Sequence, residues 1–176
     1  MAEIAQHAGM KAVELEKHML PVGDHPLPPT ANVAPDARMD VFCIGLWGRM
    51  QKSYIDVRIF HPGAPSYRSK QPRNLYKEQE AQKKRAYGKR VIEIERGTFS
   101  PFVMSTSGGL APESDRILRT LAGRVAEKHS NTYREAIDYI RLRIRFAVLR
   151  VCLVSLRGTR EKVHHTPMGF VDLNII

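Results

Sequence analysis

The sequence predicts an α/β fold in which a small mixed β-sheet is flanked by helices. Two runs rich in β-branched and aromatic residues, 41–44 and 53–60, are separated by a short stretch that contains glycines and polar residues. A long segment with helical periodicity, 74–95, separates them from a third strand-like run at 98–106. Two further helical patterns follow toward the carboxy terminus, so strands and helices share one chain of single-domain length.

The composition is that of a folded protein with an unusual charge. The 176 residues are 43% apolar and 26% charged, which is ordinary for a globular domain. The excess of basic residues is not ordinary, since 28 Lys and Arg against 18 Asp and Glu leave a net charge of +10. Such an excess favours a polyanionic partner, either a nucleic acid or an anionic membrane surface.

Membrane-spanning and secreted classes are not expected from this sequence. The nearest candidate span, 146–156, is shorter than the roughly 18 apolar residues that a helix needs to cross a bilayer, and it contains Arg150. The amino terminus lacks a basic region followed by an apolar block. With only Cys43 and Cys152, no disulfide framework is expected, which suits a reducing compartment, nuclear or cytoplasmic.

Residues 1–35 are predicted to form an amino-terminal helix and a proline-rich connector. Apolar residues recur at spacings of three or four over 2–19, as in an amphipathic helix. Five prolines follow between Pro21 and Pro35, and each fixes φ and removes a backbone donor. We therefore expect an extended connector that leads into a core at 36–160.

The core is predicted to open with an antiparallel hairpin formed by 41–44 and 53–60. Side chains alternate along a strand, so Asp56 shares its face with Tyr54 and Arg58, while the apolar residues between them point to the core. The next helix, 74–95, contains one unfavourable residue, Gly88, which costs about 1 kcal/mol relative to alanine.

The third strand and the last two helices complete the predicted core. Pro101 within 98–106 indicates an edge strand or a bulge, because proline cannot donate to a central ladder. The segment 114–128 has helical spacing behind Pro112, and 133–156 is apolar nearly all round, which predicts burial on more than one side. This last helix is the predicted carboxy-terminal extension, and 161–176 is the predicted tail.

Asp40 and Asp56 are the residues that suggest chemistry. Hydrolysis of a phosphodiester needs an activated water and neutralisation of the charge that develops on the phosphate, and Mg²⁺ held by carboxylates supplies both. The interval between Asp40 and Asp56 is long enough to finish one strand, turn and return. The two acids can therefore meet across the ladder.

Several sequence blocks resemble a known family of nucleases, and together they span roughly 36–160. The blocks are Arg38-Met39-Asp40-Val41, Tyr54-Ile55-Asp56-Val57-Arg58-Ile59, Glu80-x-x-Lys83-Lys84-x-x-Tyr87, Phe99-Ser100-Pro101-Phe102-Val103, Ser105-Thr106-Ser107-Gly108-Gly109 and Leu156-Arg157-Gly158-Thr159-Arg160. They are similar to the restriction-endonuclease-like, or PD-(D/E)xK, domains of non-long-terminal-repeat retrotransposons. They also look like reading frames downstream of transposon reverse transcriptases.

The resemblance implies a Mg²⁺- or Mn²⁺-dependent endonuclease of mobile-element origin, possessing a restriction-endonuclease-like core and belonging to a larger reverse-transcriptase polyprotein. It implies that Asp40 and Asp56 are metal ligands. The usual strand lysine is replaced by Arg58, whose guanidinium can hold a phosphate but cannot shuttle a proton. The functional lysine would then be on the following helix, at Lys83 or its neighbour Lys84. Glu80 would orient Lys83 or add a ligand.

The helix that carries these lysines is also the most basic part of the chain. Residues 68–96 contain ten Lys and Arg and four Glu, a local net charge of 10 − 4 = +6. Such a concentration suits contacts to backbone phosphates of DNA, or alternatively of RNA. The predicted nucleic-acid contacts are Arg58, Lys77, Lys83, Lys84, Arg85, Lys89 and Arg90.

Two other functions fit the same residues. One is a catalytically inactive remnant that keeps the sheet and the basic helix and still binds nucleic acid. The other is a protein-interaction domain, for which the positive charge would be incidental.

Overall fold

The computed structural model describes residues 1–67 and 70–157 and shows a mixed α/β fold. Its elements follow the chain as helix α1 (Ala2–His7), strands β1 (Lys11–His18), β2 (Arg38–Ile44) and β3 (Lys52–Phe60), a 3₁₀ turn (Pro65–Tyr67), helix α2 (Pro72–Lys83), a π-helical segment (Lys84–Gly88), helix α3 (Lys89–Glu93), strand β4 (Thr98–Ser105), and helices α4 (Pro112–His129) and α5 (Tyr133–Arg157). The predicted α/β class is confirmed. The predicted tail, 161–176, the end of the resemblance at 158–160 and Arg68 lie outside the described residues.

The four strands form one open sheet in the order β1-β2-β3-β4. Strands β1, β2 and β3 are antiparallel neighbours, so the predicted hairpin of β2 and β3 is confirmed. Strand β4 is parallel to β3, and the helical segment from α2 to α3 connects them. Pro101 lies in β4 at the edge of the sheet, where its missing N–H is tolerated.

The predicted amino-terminal helix over 2–19 is wrong beyond His7. Helix α1 ends there, and Gly9 with φ of +77° turns the chain. Residues 11–18 then pair with β2 as an irregular edge strand, with a register shift between Lys11 and Glu14. The pairing of backbone groups with β2 decides the conformation here, although the apolar spacing favours a helix. The segment 1–35 therefore contributes one strand to the sheet.

Both faces of the sheet are covered by helices. On one face, Val41 and Ile55 pack in a cluster with residues of α1, α4 and α5. On the other face, Tyr54 packs with Val91 of α3, and Phe60 packs with Leu75 of α2. The face that carries Asp56 is therefore also an interior face, against the expectation that only the opposite face is the core side.

Helix α5 buries only one stripe, so the predicted burial on more than one side is wrong for the described residues. Ile140, Ile144 and Val148 face the core. The opposite side exposes large apolar residues: Tyr139, Leu142, Phe146, Leu149 and Leu153. No second layer of described structure covers this side.

The predicted helix over 74–95 is present but is not uniform. It begins at Pro72 and ends at Glu93, and the five residues Lys84–Gly88 form a π-helical turn between α2 and α3. Turns of this kind occur frequently at functional sites, because they re-aim side chains on one side of a helix. The predicted site lysines lie at the start of this turn.

Candidate functional site

Asp56 lies in the middle of β3 and is almost fully buried, with 5% of its surface exposed. The alternation of β3 directs it toward the helical segment α2–α3, on the same face as Tyr54. A carboxylate in such a position needs a compensating cation or hydrogen-bond donors, since burial disfavours the charged form. The contacts of Asp56 are therefore informative about the site.

Asp40 and Asp56 lie beside each other on neighbouring strands. The ladder of β2 and β3 ends with the pair Val41 and Ile55, and Asp40 is the next residue of β2. Asp40 Oδ2 also accepts a hydrogen bond from the Val57 backbone N–H at 2.5 Å, which fixes the carboxylate against β3.

Lys83 provides the cation next to this pair. Its Nζ lies 2.6 Å from Asp56 Oδ2, and only 21% of the Lys83 side chain is exposed. The contact is a short ion pair, and no donor to Asp56 Oδ2 other than Lys83 is found in the described part of the chain. The ammonium also lies 5.6 Å above the centre of the Tyr87 ring. Lys83 thus points inward, toward the sheet.

The electrostatics of the site leave room for more positive charge. Burial raises the pKa of the Asp56 carboxyl, and the negative charge of Asp40 raises it further. The Lys83 ammonium acts in the opposite direction, as Arg58 does more weakly, yet the net pKa shift remains upward. A cation bound next to Asp56 would favour its ionised form and would oppose the effect of burial.

Arg58 reaches the same region from the end of β3. It lies two residues after Asp56 on the same face, and its Nη1 donates to Gln82 Oε1 at 2.7 Å. Gln82 precedes Lys83 on α2, so the guanidinium is held beside the lysine. Gln82 is not among the site residues predicted from the sequence, because no sequence signal distinguishes it from the other polar residues of α2.

Glu80 and Lys84 do not join this group. Glu80 Oε1 accepts a hydrogen bond from the Glu113 N–H at 2.8 Å, so it caps the first turn of α4. Burial raises the pKa of Glu80, and the Glu113 hydrogen bond opposes that shift. Lys84 Nζ lies 3.3 Å from the Glu113 carboxylate and is exposed. Of the two lysines, Lys83 is the one that the structure places beside Asp56.

Arg90 is not part of a basic surface, which corrects its prediction as a nucleic-acid contact. It is fully buried, and its guanidinium donates to the backbone carbonyls of Asn32, Ala34 and Leu20. Glu95 completes the attachment by accepting from the Leu20 N–H at 2.6 Å and the Tyr54 hydroxyl at 2.9 Å. Arg90 and Glu95, which are both buried, thus tie the proline-rich connector to the sheet. The sequence gives no signal for its burial.

The other predicted contacts do form an outer surface. Lys77, Lys84, Arg85 and Lys89 are exposed on the helical segment from α2 to α3. Lys89 has a single acidic neighbour four residues away, Glu93, at 3.5 Å. Exposed pairs of this kind are weak and are readily exchanged for a phosphate.

The residues present fit a divalent cation of the Mg²⁺ type. Among residues 1–67 and 70–157, no group of three or more His, Cys, Asp and Glu side chains is arranged to hold a metal. Mg²⁺ does not require such a cage, because it keeps several waters and binds through one or two carboxylates plus substrate phosphates. Asp56 Oδ2, whose partner in the described structure is the Lys83 ammonium, is the buried carboxylate oxygen that fits this role.

Comparisons with known proteins neither extend nor restrict this picture. The chain matches no protein-family model, no curated protein and no solved structure. In the part of the chain that the structure describes, none of the helices has the length and apolar character required to cross a membrane. Inferences about function therefore rest on the geometry of Asp40, Asp56, Lys83 and the basic helix.

Proposed function

We propose that this protein is a metal-dependent nuclease domain that hydrolyses phosphodiester bonds of DNA. One arrangement carries the proposal: Asp40 binds the N–H of Val57, the residue next to Asp56, through its Oδ2, and the Lys83 ammonium is 2.6 Å from Asp56. Two carboxylates with an inward-pointing lysine provide ligands for a divalent cation and a positive charge for the transition state.

Each residue of the site has a distinct role in this proposal. Asp40 and Asp56 would hold Mg²⁺ or Mn²⁺, which when bound supplies an activated water and neutralises charge on the scissile phosphate. Lys83 would stabilise the charge that develops on the phosphate oxygens. Arg58, held by Gln82, would bind a neighbouring phosphate without taking part in proton transfer.

The position of the lysine supports the resemblance to restriction-endonuclease-like domains. Arg58 occupies the strand position where that superfamily usually has lysine, and the helix that follows β3 delivers Lys83 to Asp56 instead. A lysine on that helix was expected from the resemblance. We infer the same restriction-endonuclease-like core, a mobile-element origin, membership of a larger reverse-transcriptase polyprotein and a nuclear or cytoplasmic location.

The exposed basic residues support a polyanionic substrate. Lys77, Arg85 and Lys89 lie on the same helical segment as Lys83, so a phosphate backbone that crosses this segment would pass near the carboxylate pair. Contacts to phosphates give affinity without sequence preference, and DNA is the substrate class that we propose. RNA is the alternative polymer of the same charge.

A second function is favoured by a specific observation. Lys83 is paired with Asp56, and Arg58 stands at the usual lysine position of the strand. A protein that had lost metal binding would keep this ion pair as a structural contact and would use its basic helix to bind nucleic acid without cutting it. This inactive remnant differs from the nuclease only in its response to divalent metal.

The test is nicking of supercoiled plasmid in Mg²⁺ or Mn²⁺. We expect the wild type to nick and a chelator to stop it. Asp56→Asn and Asp40→Asn should abolish nicking, and Lys83→Gln should slow it by about 10²–10³-fold. Asp138→Asn and Lys52→Gln, at exposed positions outside the site, are the matched controls and should nick as the wild type does.

Two outcomes would decide against the nuclease. If the folded wild type binds plasmid in a gel but leaves it intact with either metal, the inactive remnant is correct. If Asp56→Asn nicks as fast as the wild type, the activity does not come from this site. Circular dichroism of each variant establishes that it is folded.

A further inference from the structure

A groove next to the candidate site has the composition of a nucleotide-binding site. It has a volume of about 440 Å³ and lies between the helical segment that follows α2 and the start of β4. This volume is within the range of small-molecule sites, roughly 300–1,000 Å³. The Gly88 groove, as we name it, is lined by Lys84, Gly88, Lys89, Ile92, Thr98 and Phe99.

Gly88 is the residue that leaves the groove open. Its φ of −56° and ψ of −51° are ordinary helical angles, so the backbone does not require glycine here. A Cβ at this position would meet no atom within 4 Å. Alanine would make a more stable helix at the same position. Gly88 lines the groove, so a larger side chain at this position would take up space in it.

The floor of the groove is apolar and partly aromatic. Ile92 is 61% exposed, so its side chain presents apolar surface to the groove. The Phe99 ring packs against the Tyr87 ring, with centroids 5.8 Å apart. A flat aromatic ligand such as a nucleobase can cover both side chains, and stacking on an aromatic ring accepts any base.

The rim of the groove is cationic. Lys84 and Lys89 line it, and none of the described residues that line it is a carboxylate. Lys84 pairs with Glu113 at 3.3 Å and Lys89 with Glu93 at 3.5 Å, in pairs at the surface that an incoming phosphate can displace. An apolar floor beside two ammonium groups fits a ligand that combines a flat ring with an anionic group. A nucleotide, with its base and phosphate, is such a ligand.

The groove is also connected to the candidate site through one aromatic ring. Tyr87 lies between the Lys83 ammonium, 5.6 Å from its centre, and the Phe99 ring on the groove floor. A strand bound at the carboxylate pair would therefore pass within reach of the groove. Only a nucleotide that is not paired and stacked in a duplex can insert its base there.

We propose that the Gly88 groove binds one unstacked nucleobase and its phosphate, so that the preferred ligand is nucleic acid with a single-stranded or extruded nucleotide. This inference rests on the proposed function for the presence of a nucleic acid strand. It goes beyond that function because it assigns a second site and a substrate class. The groove would bind the base, whereas Asp40, Asp56 and Lys83 would act in cleavage of the strand.

The experiment compares binding of two single-stranded oligonucleotides that differ at one position, 2-aminopurine in one and an abasic site in the other. Anisotropy of an end label gives the Kd, and 2-aminopurine fluorescence reports stacking of the base. We expect the wild type to bind the 2-aminopurine strand about 5- to 100-fold more tightly. Gly88→Leu, which fills the groove, should abolish the preference and leave the Kd for the abasic strand unchanged.

Matched variants separate filling of the groove from other effects of the substitution. Gly88→Ala adds one methyl group in open space and should keep most of the preference. Gly123→Leu adds the same side chain at a helical glycine of α4 that also has no atom within 4 Å of a Cβ, and it should behave as the wild type. Thermal melting establishes that all three variants are folded.

The outcomes distinguish this inference from the proposed function. Base preference that Gly88→Leu removes, in a protein that does not nick DNA, supports the groove and rejects the nuclease. Nicking without base preference, or with a preference that Gly88→Leu retains, rejects the groove and keeps the nuclease. Wild type that binds no nucleic acid rejects both. Displacement of the 2-aminopurine strand by polyglutamate at equal charge would instead identify an acidic peptide as the ligand.

Discussion

The two faces of the sheet are built from different residues. The face that packs against α1, α4 and α5 is apolar and contains the largest cluster of buried side chains. The other face, together with the segment from α2 to Glu95 that covers it, contains every buried Asp, Glu and Arg in the described part of the chain: Asp56, Glu80, Arg90 and Glu95. One face thus supplies stability through apolar burial, and the other positions charges.

The difference explains why the candidate site lies where it does. A buried charge destabilises a fold unless it is paired, so such residues are retained where a partner is held in place. Each of the four has a partner from another element, and three of these contacts are structural. The contact of Asp56 is with a side chain, the Lys83 ammonium, which a bound ligand can displace. The Asp56 carboxylate is therefore the group on this face at which we place the ligand.

The largest effect should come from the apolar face. Leu121 is fully buried in α4, and Leu121→Ala should lower the free energy of unfolding by about 2–5 kcal/mol because it leaves a cavity. Urea denaturation measures this change. The nicking rate of the folded fraction should not change. A decrease below about 1 kcal/mol would show that the apolar face is not the main source of stability.

The next largest effect should come from Arg90. Arg90→Met leaves three backbone carbonyls of the connector without their donor, and the free energy of unfolding should fall by about 2–4 kcal/mol. Arg90→Lys should not restore it, because an ammonium lacks the planar fork that reaches all three carbonyls. Thermolysin should also cut within 21–35 faster in the variant. If the urea midpoint and the cleavage rate of Arg90→Met equal those of the wild type, Arg90 does not hold the connector, and its assignment as a buried structural contact is wrong.

A smaller effect is expected at Glu80. Glu80→Ala removes the acceptor at the first turn of α4, and the free energy of unfolding should fall by about 1 kcal/mol, as for loss of a helix cap. Glu80→Gln keeps the Oε1 acceptor and should retain most of the stability. The nicking rate should change less than about threefold in either variant, because Glu80 accepts from the Glu113 N–H and does not pair with Asp56 or Lys83. Loss of a catalytic group would lower the rate far more than that. A large loss of nicking in a folded Glu80→Gln would make Glu80 part of the site.

The smallest effect should be the pH response of the contact between α1 and α4. His7 stacks on His129 with ring centroids 4.2 Å apart, and Tyr139 lies on its other side. Burial lowers the pKa of His7 below 6.5, and His129, Lys128 and Arg143 lower it further. A histidine with a lowered folded pKa contributes stability above the unfolded pKa and loses it as the pH falls through the folded value.

The wild type should therefore lose thermal stability between pH 7 and pH 5 more steeply than His7→Gln. The difference in Tm should be below about 3 °C, because the rings are largely exposed. Melting curves at constant ionic strength give the comparison, with His25→Gln in the connector as a control. Parallel pH profiles for wild type and His7→Gln would contradict the assignment.

Most of the elements could be predicted from the sequence, and the exceptions have physical causes. Strands β2, β3 and β4 and helices α4 and α5 follow from local patterns, because β-branched runs and helical spacing agree with the tertiary structure there. Strand β1 could not be predicted, since its residues have helical spacing and are held by pairing with β2. The sequence predicts burial of the stripe of α5 that the structure exposes, because apolar periodicity does not reveal whether a partner layer exists.

The candidate site could be predicted only in part. Asp40, Asp56 and Lys83 follow from strand patterns and the resemblance, and the antiparallel pairing of β2 and β3 brings the two acids close together. The structural contacts of Glu80 and Arg90 could not be predicted, because they depend on Glu113 and on connector carbonyls that are distant in sequence. Composition indicates a charged segment, but it does not tell which charges are buried.

The most direct test of the central claim is a Mn²⁺ titration followed by electron paramagnetic resonance of the free ion. The claim is that Asp40 and Asp56 hold a divalent cation at the position that Lys83 partly occupies. We predict saturable binding to the wild type, affinity lower by at least about tenfold in Asp56→Asn, and affinity higher in Lys83→Met, because a competing ammonium 2.6 Å from Asp56 is removed. Equal Mn²⁺ binding by wild type, Asp56→Asn and Lys83→Met would contradict the claim.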